Sequence, residues 1–128
     1  MANNFQALHE FWSSFGWKAY DENTVPDNAM EQNGGKYITY EASISGFDEI
    51  VYLTASLWMQ STSWSDISIK AIQIFEAIGS GGKLIETDNG KLWITRGQPF
   101  AQRMGEADDT IRRIYLNIQA EFMTAERR

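Results

Sequence analysis

The sequence predicts an α+β domain, with an antiparallel or mixed sheet of about five strands and two helices packed on one face. Three observations predict it. Ile111 to Met123 alternates cleanly, with Ile114, Leu116, Ile118, Ala120 and Phe122 on one side and Arg113, Tyr115, Asn117, Gln119 and Glu121 on the other. That period of two marks a long strand with one buried face. Two stretches instead carry apolar residues at helical spacing: Phe5, Leu8, Phe11, Trp12 and Phe15, then Ile67, Ala71, Ile74 and Ile78. Finally, short strand-like runs come in adjacent pairs, which favours hairpins and hence antiparallel pairing.

The elements follow in order. Asn3 or Asn4 can cap the first helix, and Gly16 stops it. Trp17 to Tyr20 reads as a short strand. Asp21 to Gly35 reads as loop, since Asp, Asn, Pro26 and Gly34-Gly35 dominate it without a period. Lys36 to Ile44 and Glu49 to Gln60 both alternate, so they are expected to form a hairpin across Ser45-Gly46-Phe47-Asp48. Ser63 and Asp66 have the spacing of a capping box for the second helix, with Asp in the usual place of Glu or Gln. Ile72 and Phe75 widen that helix's apolar stripe, and Gly79 ends it. Leu84-Ile85 and Leu92-Trp93-Ile94 flank Asp88-Asn89-Gly90, a hairpin turn signal. Residues 96–109 are expected to be a long, polar and glycine-bearing loop before the last strand.

Composition narrows the function. A chain of 128 residues is the size of a single domain, expected here over 1–128. Its net charge is −6 and its Lys and Arg are scattered, which argues against nucleic acid as a partner. With no cysteine there is neither a disulfide framework nor a thiolate metal site, and a reducing cytoplasm fits. No segment has the length of a membrane span, and Met1-Ala2-Asn3-Asn4 lacks the start of a signal peptide.

Signals for chemistry are weak. His9 is the sole histidine and reads as a helix-surface or partly buried imidazole. Glu106, Asp108 and Asp109 form the densest acidic cluster, but turns before strands favour Asp without any metal. Gly79-Ser80-Gly81-Gly82-Lys83 resembles a phosphate loop in composition only, because it follows a helix instead of opening one. No Gly-x-Ser-x-Gly elbow is present. The expectation is therefore no catalytic residue, no metal and no cofactor. Arg96, Phe100, Arg103 and Met104 are of types enriched in protein interfaces, and Trp58 and Trp64 flank the break at Ser61-Thr62-Ser63. These six residues are the candidate interface.

Three stretches carry a resemblance to a known family: Gly35-Lys36-Tyr37-Ile38-Thr39-Tyr40-Glu41, the passage Val51 to Ile78, and Arg96-Gly97-Gln98-Pro99-Phe100-Ala101-Gln102 leading to Ile111-Arg112-Arg113-Ile114-Tyr115-Leu116. Through them the chain resembles the tail terminator, or tail completion, proteins of long-tailed bacteriophages and prophages. The resemblance implies a non-enzymatic α+β subunit of a homo-oligomeric ring, typically a hexamer. The ring caps the head-proximal end of the tail tube, stops its polymerisation and offers a surface to the head connector. It implies tail tube and connector proteins as partners, and a place in the virion tail after assembly in the host cytoplasm. The charged end Glu126-Arg127-Arg128 is then expected to be mobile and to leave the ring faces free. Neighbouring readings are a head–tail connector or neck subunit, and a cone-shaped α+β domain that binds a small ligand or acts as an enzyme on one.

Overall fold

The structure, a computed structural model, describes residues 2–125; the charged end 126–128 lies outside the described residues. In chain order the elements are α1 (Asn4–Ser13), β1 (Ala19–Asp21), α2 (Ala29–Gln32), β2 (Lys36–Tyr40), β3 (Ile50–Gln60), α3 (Ser65–Ile78), β4 (Lys83–Thr87), β5 (Gly90–Met104) and β6 (Ile111–Thr124). The α+β class stands. The sheet has six strands in the order β1-β2-β3-β6-β5-β4. It is mixed, because β1 runs parallel to β2 while every other pair is antiparallel.

One face of the sheet is the core. Ile38 and Tyr40 of β2, Val51, Leu53, Ala55 and Leu57 of β3, and Leu92 and Ile94 of β5 are buried there. So are Ile114, Leu116, Ile118, Ala120 and Phe122 of β6, the alternation expected for that strand. Against this face lie Ala7, Leu8, Phe11 and Trp12 of α1 and Ile67, Ala71, Ile74 and Ile78 of α3, all in one cluster. Burial of this apolar surface is the main favourable term, at about 25 cal/mol per Å². The sheet is curled: α1 touches β1 at one margin and both β4 and β5 at the other, while α3 lies along β3, β5 and β6.

Local chemistry explains the ends. Asn3 caps α1 through a full capping box, its carboxamide accepting from the Gln6 N–H at 2.9 Å while the Gln6 side chain accepts from the Asn3 N–H at 3.0 Å. Asp88 and Asn89 form the turn between β4 and β5, where the Asn-Gly signal placed a hairpin.

The structure corrects several expectations. Residues 96–104 are not loop; β5 continues through them and pairs with β6, with a shift in register between Arg96 and Ala101. That β-bulge accommodates Pro99, which has no N–H to give to a ladder. The peptide bond before Pro99 is cis. The true connection is short, residues 105–110. Residues 21–35 hold the brief helix α2, and the strand expected from Lys36 to Ile44 stops at Tyr40. No Ser63–Asp66 capping box forms. The Ser63 hydroxyl accepts from the Ser65 N–H at 3.0 Å, leaving Trp64 at the N-cap without a side-chain cap bond. Phe5, Ile72 and Phe75 are exposed instead of completing the helices' buried stripes.

Candidate interaction surfaces

Two surfaces gather the aromatic and cationic side chains, and each begins with a feature of β5 or β6. The first is the distal half of β5. Strand β4 pairs only with Gly90–Ile94, so beyond Thr95 the strand has β6 on one side and, among the described residues, no strand on the other. Such an edge presents unpaired backbone groups to whatever approaches it.

Helix α3 lies beside this edge, and arginines tie the two together. The Arg96 guanidinium sits 3.4 Å from the Phe75 ring centroid, and its Nε donates to the Phe75 carbonyl at 2.9 Å. Phe100, brought round by the bulge, meets Phe75 edge-on at 5.3 Å. At the other end of the helix, Arg103 and Arg112 lie 4.9 and 5.3 Å from the Trp64 ring. The Arg112 guanidinium also donates to the Thr62 and Asp109 carbonyls, at 2.8 and 2.9 Å. Each stack covers a ring with a guanidinium, worth about 0.5–1 kcal/mol where the pair is exposed, as Arg103 is; Arg96 and Arg112 are partly buried. Between them α3 presents Ile69, Ile72 and Phe75, which are 61%, 57% and 37% exposed.

The second surface is the sheet face opposite the helices. Residues paired across neighbouring strands share a face, and the registers place Tyr37, Trp58, Arg113 and Met104 in one row across β2, β3, β6 and β5. Tyr37 and Trp58 stack at 6.1 Å with planes 11° apart. Arg113 lies 4.6 Å from Trp58 and 5.6 Å from Tyr115, and its Nε donates to the buried Ser56 hydroxyl at 3.0 Å. The Trp58 indole N–H donates to Thr39 at 3.0 Å. These bonds hold Trp58 and Arg113 in place, and Tyr37, Trp58 and Arg113 floor an open cleft of about 590 Å³ whose walls include Glu22, Val25, Glu41 and Thr54. Burial, and the nearby Tyr20 and Glu106, hold the Tyr37 phenol above its ordinary pKa, so it stays protonated at neutral pH.

The six candidate residues are thus divided. Arg96, Phe100, Arg103 and Trp64 meet along the β5–α3 margin, whereas Trp58 and Met104 lie on the opposite face. Sequence reasoning missed Tyr37 and Arg113 as neighbours of Trp58, and Ile69, Ile72 and Phe75 as a surface. Equal phase on adjacent alternating strands was the available signal for the first. For the second it was an apolar helix stripe wider than one sheet face can cover.

The remaining motifs are accounted for locally. His9 shares hydrogen bonds with the Tyr40 hydroxyl at 2.8 Å and Ser13 at 3.3 Å on the exposed side of α1. Asp108 accepts from the Thr110 N–H and hydroxyl, at 2.9 and 2.6 Å, which makes it a turn residue. Gly79 closes α3 at φ 76°, a conformation open to glycine, with its N–H directed to the Phe75 carbonyl. Among the described residues there is no group of three or more His, Asp or Glu placed to hold a metal ion, and no helix long and apolar enough to cross a membrane. Comparison with known proteins finds no matching family model, no matching curated protein and no matching solved structure.

Proposed function

We propose that the chain is a non-enzymatic structural subunit of a phage tail, a tail terminator. It closes into a ring at the head-proximal end of the tail tube, stops tube polymerisation and receives the head connector. The observation that carries this reading is where the aromatic and arginine side chains lie. Phe11, Trp12, Phe15 and Trp17 are buried in the core, and the other clusters lie partly exposed on two unlike surfaces, with Trp64 and Phe100 also packed against the core. Tyr, Trp, Arg and Met set in place by stacking are the residue types that anchor protein interfaces. A head-to-tail ring requires two different patches on each subunit, and further faces are then needed for tube and connector.

The test is to add the protein to polymerising tail tube subunits. A terminator shortens the tubes and sits as a ring at one end in negative-stain images. A neck subunit would bind the connector yet leave tube growth unchanged, and tubes of unaltered length and bare ends overturn the terminator reading. The cleft over Tyr37 and Trp58 favours a second reading, a small-ligand-binding domain. That reading expects a monomer whose assembly behaviour is indifferent to Trp58→Ala.

A further inference from the structure

The chain segments that form the two strand margins of the sheet carry charges of opposite sign. From Thr95 to Gly105, along the open edge of β5, the charged residues are Arg96 and Arg103, with no acid among them. Arg112 joins them over Trp64. The other acids on this side are Asp66 and Glu76, exposed on α3, and those of the turn past the end of the strand, where Asp108 is engaged by Thr110. At the far margin, β1 has β2 as its one strand neighbour. From Ala19 to Gly35, through β1, α2 and their connections, the charged residues are Asp21, Glu22, Asp27 and Glu31, with no Lys or Arg among them. Glu22, Asp27 and Glu31 are exposed.

The two margins also match in apolar character. Ile69, Ile72 and Phe75 are exposed on α3, with Phe75 against Arg96 and Phe100, while Val25, Pro26 and Met30 are partly buried among the acids. Neither strand segment is self-complementary in charge, so a two-fold contact that sets either segment against its own copy would bring like charges together. A contact of one margin with the other satisfies both, and repeating it carries the chain of subunits onward in one direction.

We infer that the open β5 edge of one copy, with Arg96, Arg103 and the exposed face of α3, docks on the acidic β1–α2 margin of a second copy of this chain. The inference rests on the ring reading proposed above and names its subunit contact. Because the attraction is between charges at the rim of the contact, assembly should weaken as salt rises.

Charge reversal tests it with the full chain. Arg96→Glu with Arg103→Glu makes both margins acidic, and Glu22→Lys with Asp27→Lys and Glu31→Lys, which leaves Asp21 as the one acid from Ala19 to Gly35, makes both basic. Each variant alone should assemble at least about tenfold more weakly than wild type in sedimentation velocity, with an unchanged circular dichroism spectrum. An equal mixture of the two should assemble again, as acidic and basic copies alternate around the ring. Should loss of the Arg96 bond to the Phe75 carbonyl impair folding, Arg103→Glu alone replaces the first variant, since Arg103 contributes a ring stack and is exposed. Folded variants that assemble like wild type, or a mixture that stays dispersed while wild type assembles, overturn the contact and leave the ring reading standing. A wild-type chain that remains monomeric in the presence of tail tube protein overturns both.

Discussion

Single residues decide whether β5 can pass its bulge. Gly97 is buried there, and a β-carbon at this position would lie 2.6 Å from the Asn117 carbonyl oxygen. Gly97→Ala would wedge β5 away from β6 just where the Asn117 carboxamide donates to the Pro99 carbonyl at 2.9 Å. A loss of about 1–3 kcal/mol is expected, read as a lower urea midpoint. Leu116, fully buried, should not tolerate aspartate at all: a charge in that layer has no partner, and Leu116→Asp should leave no cooperative unfolding transition. Ile72→Ser is the contrasting case. More than half of the side chain is already in water, so stability should change by no more than about 0.5 kcal/mol in the same titration. Asp108 gives the pH dependence. The Thr110 hydroxyl, and then its N–H, hold the Asp108 carboxyl below its ordinary pKa. A depressed carboxylate stabilises the fold above the ordinary carboxylate range and loses that contribution as pH falls through its folded value. Asp108→Asn should therefore melt earlier than wild type at neutral pH, and the gap should close in acid.

At the scale of elements, caps and alternation account for what the sequence revealed and what it concealed. Asn3→Ala removes the capping box of α1 and should cost about 1 kcal/mol by thermal or chemical unfolding. That cap, both long apolar stripes, β3, β6 and the β4–β5 hairpin were legible because each is a local pattern. The distal half of β5 was not. Gly97, Gln98 and Pro99 have the composition of a turn, and only the length of β6 alongside them shows that the strand resumes. The start of α3 misled for a related reason. Ser63 bonds to the N–H two residues on, and the N-cap passes to Trp64, whose ring is instead covered by Arg103 and Arg112 from distant strands. Four of the six candidate interface residues lie in the expected 96–109 loop and two, Trp58 and Trp64, flank the break at Ser61-Thr62-Ser63, whereas folding deals the six to two sides of the sheet. Their residue types were visible in the sequence; their grouping depends on strand register, which no local window contains.

For the whole molecule, strand order matters more than any single contact. The sheet is two hairpin-like halves, β2–β3 and β4–β5, and they meet only through β6. This strand is flanked by β3 from Ile111 to Glu121 on one side and by β5 on the other. It also follows the other five strands in chain order. While a ribosome is still making residues 111–124, the two halves have no partner for their inner edges, and the core cannot close between them. A chain cut short before Ile111 should therefore show no cooperative melt, instead of surviving as a weakened subunit. Such a fragment would lack both margins in their folded form. Interrupted synthesis would then yield unfolded material for proteolysis, not a near-native fragment.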